Sequence, residues 1–209
     1  EWRVSRCNTS QYTYVAERRI NMTQPTIGVI GLGNMGRGIA LNFAKAGHIT
    51  ATWDISEDAR NNLAQSDNIL VATPGEMAAA GAMMVYVVPA TPEIEVSFEG
   101  PNGVLAQAAP GTIVYDLTTS FPDDTKRIAA RAAEPGIQYL DAAMCGGAAG
   151  ADAGTLTLMI GGDEATFEAC RTRLDHNGRA RGCGCSTSMA GAGSNWPTGI
   201  FGQQWRNKQ

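Results

Sequence analysis

The sequence predicts an α/β fold, a doubly wound and mainly parallel sheet with helices on both faces. Three observations carry this. Short apolar, β-branched runs alternate with stretches of helical period from Thr26 to Leu174, the pattern of strands joined by crossover helices. The turn after the first run is Gly31-Leu32-Gly33-Asn34-Met35-Gly36, three glycines at the spacing of a tight strand-to-helix turn. The 25 glycines among 209 residues, with abundant alanine, suit βα turns and helices packed closely on a sheet better than a β-sandwich.

The elements follow in order. Ile27-Gly28-Val29-Ile30 is the first strand, and Ile39, Ala40, Phe43 and Ala44 recur at helical spacing behind the glycines. A strand over 49–53 ends on Asp54 and closes a βαβ unit of about 30 residues. Next come a helix over 56–65, a strand over 69–72 and a helix over 74–80, with Pro74 in the first turn, where its missing N–H is tolerated. A buried-type strand over 83–88, a loop and helix around 92–108 and a strand over 112–115 continue the alternation. The last elements are a helix over 123–133, short strands over 138–140 and 155–160, and a helix over 163–174.

Residues 1–21 lack a period of either kind and begin without Met, so they read as an irregular extension and translated leader. After about Asp175 the chain turns rich in Gly, Cys, Ser and Arg, and no packed element is expected. The expected organisation is an extension over 1–21, a dinucleotide-binding domain over 22–178 and an irregular tail over 179–209.

Composition bounds the partners. The net charge of −4 is spread over scattered acids and bases, with no basic block to follow a phosphate backbone, so nucleic acid is not expected. Cys7, Cys145, Cys170, Cys183 and Cys185 are odd in number and show no C-x-x-C spacing, which fits a reducing, cytoplasmic setting and no metal site. No run approaches the roughly 18 apolar residues of a membrane helix. The first twenty residues carry Arg, Glu and Gln where a signal peptide needs an apolar stretch.

The glycine turn is a Rossmann-type cofactor motif. Gly31 allows the tight turn, Gly33 lets a pyrophosphate approach the backbone, and Gly36 lets helix and strand come close. Leu32, Asn34 and Met35 complete the turn, and the N–H groups and dipole of the following helix favour an anion. Asp54 lies 18 positions beyond Gly36, where a carboxylate accepts from a ribose diol. No Arg follows immediately to neutralise a 2′-phosphate, so NAD is expected over NADP. The competing reading of Asp54 is a cap for the helix from Ser56, and the rival fold is a methyltransferase, whose turn usually lacks the third glycine. The loops at Val88-Pro89 and over 116–122 follow strand C-termini, the side of an open sheet where ligands bind. His48 sits in a helix-to-strand turn and His176 borders the tail; neither is expected to be catalytic.

Together with Lys45-Ala46-Gly47-His48, Gly100-Pro101-Asn102-Gly103, the Asp116 to Pro122 loop, Asp141-Ala142-Ala143-Met144-Cys145-Gly146-Gly147, Gly154-Thr155-Leu156 and Gly161-Gly162, these motifs make a larger pattern. Over about 26–178 the sequence resembles the β-hydroxyacid dehydrogenase family, which includes 3-hydroxyisobutyrate dehydrogenase and tartronate semialdehyde reductase. The resemblance implies that Thr119 approaches the nicotinamide, that Val88 and Pro89 lie along the cofactor, and that Cys145, Gly146 and Gly147 cradle a substrate carboxylate, the glycines through backbone N–H groups. Cys145 departs from the family's Ser. A thiol is the weaker donor, implying weaker or altered substrate selection; the other reading of Cys145 is a small buried hydrophobe.

The family moves the substrate proton with a lysine in G-x-G-x-x-x-K-x-x-N, which opens a helical second domain. Gly191-Ala192-Gly193 resembles its start, but Pro197 occupies the lysine's place and the nearest lysine is Lys208. No catalytic residue is therefore assigned, and the helical second domain is expected to be missing. Codons for Ser194 to Thr198 permit Lys-Leu-Ala-Asn in a shifted frame, so the tail reads as frameshifted. The resemblance implies an NAD-dependent oxidoreductase for a small 3-hydroxy acid or its semialdehyde, homo-oligomeric in an intact parent and weakly active or inactive in this form. The alternative is a non-catalytic dinucleotide-binding or scaffold module.

Overall fold

The computed structural model describes residues 26–175 and two short strands beyond them, Cys183–Cys185 and Gln203–Gln204, with side chains described through residue 170. The expected extension over 1–21, His176, Gly191 to Gly193 and Pro197 lie outside the described residues. In chain order the elements are β1 (Ile27–Ile30), α1 (Gly36–Lys45), β2 (Thr50–Trp53), α2 (Glu57–Ala64), β3 (Ile69–Val71), α3 (Pro74–Ala79), β4 (Met83–Tyr86), α4 (Thr91–Phe98) and α5 (Val104–Gln107). Then follow β5 (Ile113–Asp116), α6 (Pro122–Ala133), β6 (Gln138–Cys145), α7 (Gly147–Ala153), β7 (Thr157–Gly161), α8 (Glu164–Asp175), β8 (Cys183–Cys185) and β9 (Gln203–Gln204).

The strands form one sheet in the order β3-β2-β1-β4-β5-β6-β7-β8, parallel from β3 through β6. Strand order reverses between β1 and β4, which opens a crevice at the strands' C-terminal ends. Period-2 alternation splits the core into two clusters, one on each face. Val29, Met83, Val85, Ile113 and Leu140 pack with Ile39 and Ala40 of α1, Leu63 of α2, Ala151 of α7 and Phe167 of α8. Ile30, Met84, Tyr86 and Val114 pack with Met77 of α3, Ile94 and Phe98 of α4, Val104 of α5 and Ile128 of α6. This is the doubly wound arrangement the alternation predicts.

The structure departs from these expectations at five places. β4 stops at Tyr86 rather than 88, since its pairing with β1 and β5 ends there and only the Val87 N–H bond to the Ile30 carbonyl continues beyond it. The single helix expected around 92–108 is two, since Gly100-Pro101-Asn102-Gly103 breaks it; a Cβ on Gly103 would stand 2.1 Å from the Glu99 carbonyl oxygen. β6 runs eight residues to Cys145 rather than stopping at 140, because β7 turns back antiparallel and pairs Asp141 with Gly161 through Cys145 with Thr157. Between them lies α7, of Gly and Ala with one Asp, whose composition shows no apolar period. Where no packed element was expected, β8 and β9 both pair with β7, β8 parallel and β9 antiparallel.

Candidate cofactor and substrate site

The three glycines of the β1–α1 turn do three different jobs. Gly31 has φ +93°, and a Cβ on it would stand 2.3 Å from the Val87 carbonyl oxygen. Gly36 brings α1 against the turn, where a Cβ would lie 1.8 Å from the Gly31 carbonyl oxygen. Gly33 is exposed and a Cβ there would meet nothing within 4 Å. The turn is pinned from both flanking strands: Gly31 N–H donates to the Trp53 carbonyl and Val87 N–H to that of Ile30, each at 2.8 Å. α1 begins after Met35 without a side-chain cap and without an acid in its first turn; the Arg37 N–H is taken by the Gly33 carbonyl at 3.1 Å, and no side chain shields the rest of this positive end from an anion. Those features fit a dinucleotide's pyrophosphate.

At the end of β2, Asp54 ties the glycine turn to the start of α2. Its Oδ2 accepts from Leu32 N–H at 2.6 Å, clasping the glycine turn, and its Oδ1 accepts from Ser56 N–H at 2.8 Å, steadying the start of α2. Ser56 itself is the cap, accepting from Ala59 N–H. Each carboxylate oxygen keeps a second lone pair for a ribose hydroxyl. One turn into α2, Arg60 lies over the Trp53 ring at 4.6 Å and donates through Nη1 to the Asp54 and Ile55 carbonyls. The sequence reading missed this cation, because only the helix start at Glu57 returns it to the rim.

On the other side of the crevice, Val88 is half-buried and Pro89 exposed just past β4. β5 ends on Asp116, which is 2% exposed. Its carboxylate accepts from Thr118 N–H at 2.8 Å and from the Tyr139 phenol of β6 at 2.6 Å. Burial pushes the Asp116 carboxyl above its ordinary range, against the pull of these bonds. Burial, and then the Asp116 charge, pushes the Tyr139 phenol up. The buried Thr118 hydroxyl lies beside the same carboxyl but has no partner in hydrogen-bonding geometry. Farther along, Thr91 at the start of α4 donates to the Ser120 hydroxyl at 2.9 Å. Thr119 is thus an exposed residue between two anchored points. Sequence reading singled out the loop but not Asp116 or Tyr139; a charged residue closing an otherwise apolar strand was the available signal.

Cys145, Gly146 and Gly147 follow on the same rim, at the end of β6. The Cys145 thiol is free and exposed, so the buried-hydrophobe reading is corrected: antiparallel pairing carries β6 past the core before Cys145 is reached. Gly146 and Gly147 turn the chain into α7 at φ +127° and +60°. α7 is seated on α1. Asn42 Nδ2 donates to the Ala151 carbonyl at 2.5 Å, and a Cβ on Gly38 would lie 2.9 Å from the Ala151 carbonyl carbon. His48 sits apart, buried at the N-terminal edge with Nδ1 3.3 Å from the Thr26 hydroxyl and its ring edge-on to Phe43. Burial lowers its pKa. Among the described residues no group of three His, Cys, Asp or Glu is placed to hold a metal, and no helix is long and apolar enough to cross a membrane.

The rim therefore carries, in spatial order, Asp54, the glycine turn, Val88-Pro89, Thr119 and Cys145-Gly146-Gly147. Over residues 26–191 the chain matches the family described as the NAD binding domain of 6-phosphogluconate dehydrogenase. The chain belongs to that family. NAD is its cofactor, and the glycine turn and Asp54 fit it.

Relatives of this NAD-binding domain include the probable mitochondrial 3-hydroxyisobutyrate dehydrogenase of Dictyostelium discoideum, 36% identical over 74% of this chain and 48% of the relative. The 2-hydroxy-3-oxopropionate reductase of Escherichia coli is 37% identical over 73% of this chain and 52% of the relative. Among solved structures, Mycobacterium tuberculosis 3-hydroxyisobutyrate dehydrogenase with L-serine superposes with a TM-score of 0.69 at 31% identity, covering 80% of this chain and 56% of that one. The chain spans about half the length of the curated relatives it matches.

Proposed function

We propose that this chain is the cofactor half of an NAD-dependent oxidoreductase that oxidises a small 3-hydroxy acid or reduces the corresponding semialdehyde. The observation that carries the reading is the glycine turn, with Gly33 open and Gly31 and Gly36 closed against backbone. Bound NAD supplies hydride exchange. The chain's own residues bind and orient: Asp54 takes the adenosine ribose, Val88, Pro89 and Thr119 border the nicotinamide end, and Gly146 and Gly147 offer backbone N–H groups to a substrate carboxylate beside Cys145. Relatives named for 3-hydroxyisobutyrate and 2-hydroxy-3-oxopropionate support the substrate class.

A second reading is a dinucleotide-binding module without turnover, favoured by Pro197 where the resemblance places the proton-transferring lysine. A missing general acid or base costs about 10²- to 10⁴-fold in rate. Calorimetric titration with NAD, run beside a coupled assay on 3-hydroxyisobutyrate and tartronate semialdehyde, separates the two. Binding with turnover supports the enzyme, and binding alone the module. No binding of NAD sinks both.

A further inference from the structure

We propose that Asn42 is a positioning residue for the substrate cradle: its amide, with Gly38 one turn before it, seats α7 on α1 and so fixes Gly146 and Gly147 relative to the glycine turn. The proposal rests on the carboxylate-binding reading of Cys145, Gly146 and Gly147 above and concerns what holds that segment in place. Gly146 and Gly147 are both exposed, at φ +127° and +60°. Glycine admits a wide range of φ and ψ, so these two residues do not aim their own N–H groups. The elements on either side must do so. Upstream, β6 is held as far as Cys145 by its pairing with Thr157 of β7. Downstream lies α7.

α7 has almost no apolar side chain with which to hold itself down. Its seven residues are Gly-Ala-Ala-Gly-Ala-Asp-Ala, and the buried ones are Gly150 and Ala151. Burying one methyl group does little against the ordering of such a segment. Contacts with α1 take that part. Asn42 Nδ2 donates to the Ala151 carbonyl at 2.5 Å and to the Asp152 carbonyl at 3.4 Å, so one amide gathers two carbonyls in the last turn of α7. Gly38 lies four positions earlier on the same face of α1. A Cβ there would stand 2.7 Å from an Asp152 carboxylate oxygen and 2.9 Å from the Ala151 carbonyl carbon. Within α7, the Gly150 N–H donates to the Gly146 carbonyl at 3.1 Å, which ties the seated part of the helix to the cradle. α1 itself begins at Gly36, directly behind the pyrophosphate turn. One helix thus sets both ligands in place, the cofactor at its N-terminus and the substrate through its Gly38 and Asn42 face.

The test is calorimetric affinity for NAD, and for 3-hydroxyisobutyrate with NAD bound, in the wild type, Asn42→Leu and Gly38→Ala. Hydrogen exchange of the α7 amides adds a readout that needs no ligand. Leucine keeps the size and branching of asparagine and deletes the donor, whereas Gly38→Ala reaches the same helix by crowding it. Should Asn42→Leu not fold by circular dichroism, Asn42→Ala replaces it. In each variant the affinity for 3-hydroxyisobutyrate should fall about tenfold, the scale of one hydrogen bond, while that for NAD stays within about twofold. The Gly150 and Ala151 amides should exchange about tenfold faster, and those of β1 at the wild-type rate. A role in stability alone would not separate the two ligands. Equal losses for both, an unchanged 3-hydroxyisobutyrate affinity, or unchanged α7 exchange overturns the role of Asn42. A wild type that binds NAD but no 3-hydroxyisobutyrate overturns the cradle reading and this one with it.

Discussion

At the β1–α1 junction the rim is shaped by missing side chains: Gly31 and Gly36 leave room that backbone oxygens fill, and a Cβ at either would stand within 2.3 Å of one. At the β5–β6 junction the rim is shaped by side chains present in excess of what a core needs. A buried carboxylate, Asp116, is held by a phenol from the next strand and by an N–H of its own loop. The first construction is steric and has no alternative packing. The second is polar and depends on partners 2 and 23 positions away in sequence. A steric turn tolerates pH and fails to substitution, whereas a buried polar brace is sensitive to both.

The largest effect that would test this contrast is at Gly36. Gly36→Ala puts a methyl 1.8 Å from the Gly31 carbonyl oxygen, and neither backbone segment can yield without moving α1 off the sheet. A loss of about 3 kcal/mol of stability, the upper range for overpacking, is expected by thermal or urea unfolding. Near-native stability would mean that the junction is softer than a steric turn. Next in size is Tyr139→Phe. It keeps the ring and deletes the donor to Asp116, leaving a buried carboxylate short of a partner at about 1 to 2 kcal/mol. An unchanged midpoint in urea would show that the brace carries no weight.

The pH response sharpens the comparison further. Burial raises the Asp116 pKa above its ordinary 3.8, so the folded chain keeps that proton longer than the unfolded chain does. Stability is then lost as pH rises from about the ordinary value through the raised one, and is level below it. Asp163 works in the opposite direction, since Thr166 lowers its pKa and its contribution fades as pH falls. The difference profile between wild type and Asp116→Asn isolates the first effect: it should decline with rising pH across that window. A flat difference would place Asp116 in solvent rather than in the wall of the crevice.

The same contrast explains what could be read from the sequence. The glycine turn, Asp54 and the strand and helix order were legible because each is a local rule: spacing, period, and the residue that ends a strand. Arg60, Tyr139 and Asn42 were not, since their roles come from which elements the fold sets side by side. β6 beyond Leu140 and all of α7 were hidden for a related reason. An Ala- and Gly-rich segment carries no period, and only pairing with β7 and seating on α1 give it structure. Cys145 shows the limit most directly: its type suggested either a ligand contact or a small core residue, and only the length of β6, which carries it out to an exposed position, rules out the second.

The smallest expected effect on stability is also the most telling. Gly33 has no positive φ and no neighbour within 4 Å of an added Cβ, so Gly33→Ala should leave the unfolding midpoint unchanged or raise it by up to about 1 kcal/mol, through the unfolded chain's lost freedom. Its effect should fall on the ligand. The methyl occupies the space through which a pyrophosphate reaches the backbone N–H groups at the start of α1, and NAD affinity should drop by about tenfold or more by calorimetry, the loss of one or two charge-assisted bonds. Set beside Gly36→Ala, this divides one motif into a residue that builds the turn and a residue that leaves it open. If Gly33→Ala unfolded the chain, or bound NAD as the wild type does, Gly33 would be a structural glycine like its neighbours, and the opening over the turn would lose its claim to be the phosphate site.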